Sequence, residues 1–429
     1  MNRILMDELF AWKQSKSRKP LIIQGARQVG KTWLMKEFGN RAFKQVAYLN
    51  FESSDRLKQL FTSDFNIERI IAIIEIECNQ KIIAESTLII FDEIQEVERG
   101  LTSLKYFQEL APQYHIIAAG SLLGVSLQKN NSFPVGKVDF LKLYPMSFQE
   151  FLENIGEQRL ANQIQAKNWE VINVFHDKLT NHLRLYYFIG GMPEVVANYI
   201  ANKNLAEVRL LQQKIIMGYE NDFSKHAPND IVPKIRLVWN AITSQLAKEN
   251  RKFIYGQIKK GSRAKDFEMA INWLVGAGLV LKVNRIEKPI MPINAYADLD
   301  AFKLFLLDIG LLNAIGNLDP KILLEKNTIL SEYKGALTEQ YVCQQLTVKT
   351  AIFYWVATNA TAEIDFVIQH KNQIIPVEVK AEENLKSKSL KVFVEKFSNE
   401  NAIRGSMSHY RKESWLTNIP LYAIDTIIE

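Results

Sequence analysis

Cysteine is scarce in this 429-residue chain, which contains only Cys78 and Cys343, far apart in the sequence. Two distant cysteines do not form a disulfide framework or a cysteine-based zinc site, and such scarcity is typical of reducing compartments. No apolar run reaches the roughly 18 residues of a membrane span, and residues 1–13 lack the apolar core of a signal peptide. We therefore expect a cytoplasmic protein without a membrane segment.

The chain also lacks a strong charge imbalance. Its 53 Lys and Arg residues stand against 47 Asp and Glu residues, which gives a net charge of +6 and a pI of about 8.9. This pI lies just below the range that marks a nucleic-acid-binding protein by composition alone, so local basic patches must carry any such prediction. A hydrophobic content of 47% is ordinary for a globular protein, and the length suits about two to four domains.

The first motif is an eight-residue loop between the apolar run 21–23 and a helical segment. It has the spacing G-x-x-x-x-G-K-T and consists of Gly25, Ala26, Arg27, Gln28, Val29, Gly30, Lys31 and Thr32. Glycines let a backbone approach a phosphate closely, and the N-terminus of a helix attracts an anion. We expect Lys31 to reach the β- and γ-phosphates and the Thr32 hydroxyl to hold Mg²⁺. The motif therefore predicts an ATP-binding P-loop.

An acidic pair follows farther along the chain. Residues 88–91 are all apolar and run directly into Asp92 and Glu93. Four apolar residues are typical of a strand buried on both faces of a parallel sheet, and ligands bind where such strands end. We expect Asp92 to hold Mg²⁺ through water and Glu93 to act as general base on the attacking water. An acidic pair elsewhere would only cap a helix, but its position after a P-loop favours catalysis.

A polar residue also follows the predicted strand 115–119. Ser121 has two candidate roles: sensor of the γ-phosphate, if its strand lies between the two phosphate-binding strands, or N-cap of the next segment. His115, at the start of that strand, is predicted to be structural. Farther on, Ser147 and Glu150 have the spacing of a capping box, which predicts the start of a helix.

Residues 156–325 show mainly helical patterns. Segments 231–248 and 262–275 are predicted helices, and 279–286 is a predicted strand. Helices followed by a β-wing would make a winged helix. Four basic residues lie before and along its second helix: Lys259, Lys260, Arg263 and Lys265. They are suited either to contact DNA phosphates or to form a solvated basic face.

Two segments near the C-terminus alternate with a period of two. Residues 362–368 and 374–381 are therefore predicted strands, and the polar residues between them predict a hairpin turn. Side chains two residues apart share one face of a strand, as Glu378 and Lys380 do. Pairing the charged faces of the two strands is expected to bring Asp365, Glu378 and Lys380 together.

The carboxylates of this hairpin are candidate metal ligands. Asp365 and Glu378 suit a hard divalent cation, and Lys380 is placed to orient or activate water near a scissile phosphate. Glu339, on the predicted helix 335–343, is a candidate third ligand. The alternative is an edge strand whose alternating charges protect it from aggregation, in a domain that binds without cleaving.

A basic stretch follows the hairpin. Residues 386–413 contain three Glu and seven basic residues, namely Lys386, Lys388, Lys391, Lys396, Arg404, Arg411 and Lys412. This stretch suits a nucleic-acid backbone, or it forms a solvated helix face. Trp355, which precedes the hairpin, is predicted to pack in the core.

Taken together, these motifs resemble the predicted AAA+ superfamily ATPases of bacteria and archaea that carry a C-terminal domain of uncharacterised function. The resemblance rests on the C-terminal hairpin and on segments 25–32, 88–93, 120–121, 144–151 and 190–194. The C-terminal part is similar to PD-(D/E)xK, or restriction-endonuclease-like, nucleases: a helix glutamate, an aspartate, then E-x-K. Family members tend to have an arginine just before the last strand of the sheet, where this chain has Lys137. Lysine cannot make arginine's bidentate contact, so the position of an arginine finger stays open.

The predicted fold class is α/β with three domains. These are an AAA+-type P-loop parallel-sheet domain at 1–155, a helical and winged-helix connector at 156–325, and a restriction-endonuclease-like α/β domain at 326–429. The predicted function is a P-loop ATPase coupled to a nuclease-like domain, in an ATP-regulated DNA-processing protein. The alternative is an ATP-driven switch whose C-terminal domain only binds nucleic acid or protein. ATP and Mg²⁺ are the expected cofactors; DNA and a second copy of the chain or another protein are candidate partners.

Overall fold

The computed structural model describes residues 1–121, 125, 136–248, 252–320, 331–358, 361–381, 386–399 and 401–428. It consists of two compact units, the first formed by Met1–Tyr144 and Gly276–Gly278 and the second by Pro145–Val275 and Leu279–Glu429. The predicted connector and C-terminal domain thus fall in the same unit, and the division into three domains stays a prediction. Among the described residues, no helix combines the length and the apolar character that crossing a membrane requires.

The first unit is an α/β unit around a five-stranded parallel sheet. Its helices are α1 (Leu5–Gln14), α2 (Lys31–Ala42), α3 (Ile67–Cys78) and α4 (Gly100–Leu110), with 3₁₀ turns at Leu57–Gln59 and Ile94–Glu96. Its strands are β1 (Leu21–Gln24), β2 (Gln45–Asn50), β3 (Thr87–Asp92), β4 (His115–Ala119) and β5 (Asp139–Lys142). The strand order is β2-β3-β4-β1-β5, with every pairing parallel.

Strands β3 and β4 lie at the centre of this sheet and are buried along their whole length. Their continuous apolar runs are covered on both faces, as the sequence predicted for a parallel sheet. Strand β4 separates β3 from the P-loop strand β1, which confirms that Ser121 follows a strand inserted between the two. Phe91 of β3 packs against Phe51 and Phe107, with ring centroids 5.6 and 6.1 Å apart.

The second unit contains twelve described helices and eight strands. The helices are α5 (Phe148–Asn154), α6 (Gln158–Gln165), α7 (Trp169–Val174), α8 (His176–Ile189), α9 (Pro193–Asn202), α10 (Leu205–His226), α11 (Val232–Ala247), α12 (Tyr255–Ile258), α13 (Ala264–Gly276), α14 (Ile309–Ile315), α15 (Ser331–Thr347) and α16 (Lys388–Phe397). The strands are β6 (Val280–Ile286), β7 (Ala297–Leu306), β8 (Ile352–Val356), β9 (Glu363–His370), β10 (Gln373–Val379), β11 (Ala402–Ser406), β12 (Arg411–Lys412) and β13 (Leu416–Pro420). Residues Ile293–Tyr296 and Leu421–Ile427 form 3₁₀ turns.

The eight strands form one mixed sheet in the order β12-β13-β11-β10-β9-β8-β6-β7. The predicted hairpin is confirmed: β9 and β10 are antiparallel, with Gln373 opposite His370 and Val377 opposite Phe366. Strand β6 also pairs with β8. The strands predicted as a wing are therefore part of the sheet that contains the hairpin, and the winged-helix assignment stays a prediction.

The predicted capping box in the second unit is confirmed. Ser147 and Glu150 form a capping box at the start of α5, because the Glu150 amide donates to Ser147 Oγ (3.1 Å) and the Ser147 amide donates to Glu150 Oε2 (2.9 Å). The Gly190–Pro193 turn has a packing role: the Gly191 amide donates to Asp308 Oδ2 at 2.6 Å. Gly190 has φ +74°, and a Cβ there would lie 2.2 Å from Asp308 Oδ1.

Candidate active site

The P-loop lies between the end of β1 and the start of α2. Gly25 and Gly30 have φ of +154° and +93°, which glycine adopts without strain, and Gln28 between them has φ +65°. A Cβ on Gly25 would lie 2.3 Å from the carbonyl oxygen of Leu143, so no larger residue fits there without movement. Val29 is fully buried and anchors the loop. The loop leads directly into α2, whose first amides have no acceptor within the helix, as in an anion site at a helix N-terminus.

Lys31, the first residue of α2, is 6% exposed. Its Nζ donates to the carbonyl oxygens of Gly25 (3.0 Å) and Ala26 (2.8 Å). Burial lowers the pKa of Lys31 to about 8, against the opposing effect of the Glu93 and Asp92 carboxylates. A phosphate oxygen in place of the loop carbonyls would stabilise the buried ammonium, as expected for a lysine that binds phosphate.

Asp92 is buried at the end of β3. One of its carboxylate oxygens accepts hydrogen bonds from two hydroxyl groups. Thr32 Oγ1 donates to Asp92 Oδ2 at 2.7 Å, and the Tyr48 hydroxyl donates to the same oxygen at 2.9 Å. The Glu93 amide donates to Asp92 Oδ1 at 3.2 Å. The two predicted Mg²⁺ ligands thus lie side by side. A hydroxyl and a carboxylate are hard oxygen ligands, so these residues fit Mg²⁺.

Glu93 follows Asp92 with a left-handed backbone, φ +52°. Its Oε2 accepts hydrogen bonds from the Ser121 amide (3.0 Å), Ser121 Oγ (3.1 Å) and Gln95 Nε2 (2.6 Å). The structure therefore brings the predicted base and the predicted sensor into contact. The N-cap alternative for Ser121 concerns a segment that lies mostly outside the described residues.

Tyr48 and Gln95 belong to this site and are absent from the sequence prediction. Tyr48 shares a face of β2 with Asn50, and the sheet register pairs Asn50 with Asp92. The order of the strands, which the sequence does not reveal, places Tyr48 beside Asp92. Lys137, at the position where the resemblance implied an arginine, pairs with Glu109, with Nζ 2.9 Å from Oε1.

A second charged cluster lies in the second unit around Lys303 of β7, which is 7% exposed. Lys303 Nζ lies 2.7 Å from Glu363 Oε1 and 3.2 Å from Glu339 Oε2. Burial lowers the pKa of Lys303, but the carboxylates of Glu339, Glu363 and Asp365 outweigh this effect and raise it overall. Lys303 is absent from the sequence prediction, because its only signal is a lysine in an otherwise apolar run, 301–307.

Asp365 lies beside this cluster on β9. Its Oδ2 accepts a hydrogen bond from the Val379 amide at 2.7 Å. Burial and the neighbouring Glu339 carboxylate raise the pKa of Asp365 well above its ordinary value, while Lys303 opposes the shift. On β10, Glu378 Oε1 lies 2.9 Å from Lys380 Nζ. Glu378 Oε2 is buried and has no hydrogen-bond partner among the described residues.

The three predicted metal ligands of this domain are not assembled as a metal site. The described residues contain no group of three His, Cys, Asp or Glu side chains placed to hold a metal ion. Glu339 is ion-paired with Lys303, whereas Glu378 pairs with Lys380. The donor set around Glu339 therefore does not fit a cation in this arrangement, because an ammonium group already neutralises it.

The basic residues of the two predicted surfaces divide clearly by exposure. Six residues of the C-terminal stretch are exposed, as are all four of the connector: Lys386, Lys388, Lys391, Lys396, Arg411, Lys412, Lys259, Lys260, Arg263 and Lys265. The seventh, Arg404, is 1% exposed and donates to Asn418 Oδ1 at 2.9 Å. The prediction that Arg404 contributes to a basic surface is therefore wrong. Trp355 is buried against Phe393 and Phe397, as predicted.

The parallel sheet, the P-loop and the acidic pair at the end of β3 define the first unit as a P-loop ATPase domain of the AAA type. Residues 17–152 match the family model described as AAA domain, and the protein thus contains an ATP-binding AAA domain. Residues 180–322 and 334–424 match two domains of unknown function, DUF8612 and DUF4143. No curated protein matches the chain.

Several solved structures share weak similarity with the chain. C. elegans PCH-2 is 13% identical, with 35% of this chain and 44% of that chain covered and a TM-score of 0.24. Aeropyrum pernix ORC1 in complex with DNA is 12% identical, with 73% and 90% covered and a TM-score of 0.28. The Thermotoga maritima RuvB Holliday junction branch migration motor is 12% identical, with 66% and 89% covered and a TM-score of 0.30. TM-scores of this size do not establish a shared arrangement of the whole chain.

Proposed function

We propose that the first unit hydrolyses ATP. The observation that carries this proposal is the contact of Thr32 with Asp92 and of Glu93 with Ser121, directly beside the P-loop. Lys31 would neutralise the β- and γ-phosphates, and the amides of residues 25–32 would bind the phosphate oxygens. Thr32 and Asp92 would hold Mg²⁺, which supplies charge neutralisation on the phosphate oxygens when bound.

Glu93 is the proposed general base. One of its oxygens accepts three hydrogen bonds, two of them from Ser121. These hydrogen bonds hold the Glu93 carboxylate on Ser121, and breaking them would free it to turn toward the attacking water. A γ-phosphate that draws the Ser121 hydroxyl to itself would release Glu93. Ser121 would in this way connect the presence of ATP to the start of hydrolysis.

The second unit is proposed to process DNA under control of this ATPase. Exposed lysines on α16 and around α13 offer contacts to a phosphate backbone. In the cleaving version, Asp365 and Glu378 would hold a divalent cation without Glu339, and Lys380 would orient water. The buried, unpartnered Oε2 of Glu378 favours this version, since a cation would complete its environment.

The second candidate is an ATP-driven switch whose C-terminal domain binds nucleic acid or protein without cleavage. Lys303 favours this candidate, because it already neutralises Glu339 and Glu363. A divalent cation beside a buried ammonium would experience repulsion at short range. In either version the partner of the chain is DNA, a second copy of the chain or another protein.

Hydrolysis is tested by phosphate release from MgATP with the wild type and Glu93→Gln. We expect the variant to keep nucleotide binding and to lose at least about 100-fold in kcat, the usual contribution of a general base. Equal phosphate release by both proteins would contradict the assigned role of Glu93. Wild-type protein that binds ATP without turnover would indicate a nucleotide-binding scaffold.

Cleavage is tested with linear duplex DNA and Mg²⁺ or Mn²⁺, with and without ATP. Lys380→Ala is compared with Lys371→Ala, which removes an exposed lysine from the turn of the same hairpin. Cutting that depends on ATP and is lost only in Lys380→Ala supports the nuclease. No cutting by any protein, with ATPase activity intact, supports the switch and directs the search toward binding partners.

A further inference from the structure

We propose that Tyr48 is a positioning residue for ATP hydrolysis, which holds the Asp92 carboxylate in the orientation that Mg²⁺ requires. This inference rests on the proposed ATPase function. Tyr48 lies on β2, outside the P-loop and the acidic pair. Its hydroxyl donates to Asp92 Oδ2 at 2.9 Å, the same oxygen that accepts the Thr32 hydroxyl at 2.7 Å.

The direction of the Tyr48 hydrogen bond is fixed by its neighbours. Asn50 Nδ2 lies 3.4 Å from the Tyr48 hydroxyl oxygen, and Asn50 Oδ1 accepts the Glu52 amide at 2.9 Å. Because the Asn50 oxygen is engaged by an amide, its nitrogen faces Tyr48 and donates. The Tyr48 proton is therefore directed to Asp92, and the hydroxyl links Asn50 to the carboxylate.

The ring of Tyr48 is also held in place. Lys36 Nζ, on the P-loop helix α2, lies 3.6 Å from the ring centroid, which is a cation–π contact. Tyr48 thus contacts α2 through its ring and β3 through its hydroxyl. It ties the helix that follows the P-loop to the strand that ends in Asp92.

Tyr48 and Thr32 have different roles at their shared oxygen. Thr32 would present a lone pair of its hydroxyl oxygen to Mg²⁺ while its proton stays directed to Asp92. Tyr48 has no such second task and only donates, while the Glu93 amide holds Asp92 Oδ1. Without Tyr48 the carboxylate would rotate more freely, and ordering it would oppose Mg²⁺ binding.

The test is Tyr48→Phe, which keeps the ring and removes the hydroxyl. Mg²⁺ is titrated while the binding of a fluorescent ATP analogue and, separately, phosphate release are measured. We expect the half-saturating Mg²⁺ concentration to rise about 10-fold, the effect of one hydrogen bond to a charged group. At saturating Mg²⁺, the KM for ATP should change much less. Tyr106→Phe, which removes a hydroxyl from a tyrosine that stacks on Phe65, is the matched control.

Lys36→Met provides a second variant that leaves the hydroxyl in place but releases the ring. An intermediate shift in Mg²⁺ dependence is expected, with thermal unfolding of the unit close to that of the wild type. Unchanged Mg²⁺ dependence of nucleotide binding in Tyr48→Phe would overturn the inference, whatever its effect on stability. Wild-type protein that binds MgATP without releasing phosphate would refute the proposed hydrolysis but leave the Mg²⁺ shift as a separate readout.

Discussion

Two buried lysines, Lys31 and Lys303, interact with carboxylates that are distant in sequence. Lys31 interacts with Asp92 and Glu93, 61 and 62 residues farther along the chain, and Lys303 binds Glu339 and Glu363. A buried charge without a partner would destabilise the fold, so each of these side chains depends on its partner. The same pairing sets the electrostatic conditions at both candidate sites.

Lys303→Met tests how far the second charged cluster depends on its internal cation. The variant leaves the partly buried carboxylates of Glu339 and Glu363 without a counter-charge. We expect the free energy of unfolding to fall by up to about 3–5 kcal/mol, the value for a fully buried pair. The additional change Glu339→Gln should restore part of that loss, because it removes one of the unpaired charges. Urea unfolding measures both values. Lys371→Met, on an exposed turn, should change stability by less than about 0.5 kcal/mol.

A second measurement on Lys303→Met tests whether the charged cluster can bind a metal ion. We expect Mn²⁺ to raise the unfolding temperature of this variant more than that of the wild type, because the cation can replace the missing ammonium. Equal Mn²⁺ effects on both proteins would show that Lys303 does not govern metal binding there.

His115 gives the first unit a defined pH dependence. Burial, helped by the Arg18 charge, lowers the pKa of His115 from 6.5 to about 4. Arg18 can only donate to Nδ1, 3.3 Å away, so the ring is neutral. Between pH 6.5 and 4 the unfolded chain therefore binds one more proton than the folded chain. Stability falls as the pH falls through this window, by about 3 kcal/mol in total.

The measurement compares wild type and His115→Gln by chemical denaturation from pH 7 to pH 4. Other carboxylates titrate in the same range, so the informative quantity is the difference in unfolding free energy between the two proteins. We expect the stability of the wild type relative to the variant to decrease by about 3 kcal/mol over this range. A difference that does not change with pH would contradict a neutral, buried His115.

At the scale of elements, the P-loop shows how local sequence and sheet packing combine. Residues 25–32 specify a loop and the start of α2, but Gly25 is required because β5 leads into Leu143, whose carbonyl faces it. Other elements follow local signals alone. Helix α3 ends at Cys78 because Asn79 adopts the left-handed conformation.

Two glycine-to-alanine changes are expected to act in opposite directions. Gly25→Ala forces a Cβ against Leu143, so we expect ATP affinity to fall at least about 10-fold and stability to fall by about 1–3 kcal/mol. Gly218→Ala lies within helix α10, where a Cβ meets no atom within 4 Å. It should stabilise the protein by about 0.5–1 kcal/mol. Nucleotide titration and thermal unfolding measure both effects, and an equal response of the two variants would refute the proposed packing restraint.

At the scale of the whole molecule, a net charge of +6 is too small to impose DNA binding by itself. The exposed lysines of α16 and its N-terminal side are better candidates. Replacing Lys386, Lys388 and Lys391 with alanine should weaken duplex DNA binding. It should also reduce the slope of log affinity against log salt by up to about 2–3, since each phosphate contact contributes about 0.9.

The matched control removes three exposed lysines from the first unit, Lys16, Lys44 and Lys81. An identical loss of salt dependence in both triple variants would mean that only net charge matters. If instead the variant of Lys259, Lys260 and Arg263 alone loses the salt dependence, the DNA surface lies on the connector, as the winged-helix prediction suggests.

The local chemistry of this protein can be predicted from its residues in order along the chain. The P-loop, the apolar strands before Asp92 and Ser121, the capping box at Ser147 and the hairpin at 363–379 follow from spacing and periodicity, because these signals act between residues close in sequence. The tertiary structure determines which other residues these side chains contact. The order β2-β3-β4 brought Tyr48 to Asp92, and the eight-stranded sheet brought Lys303 to Glu339 and Glu363. Neither set of contacts can be predicted from the sequence alone. Pairing between strands that are distant in sequence depends on burial and charge compensation throughout the fold.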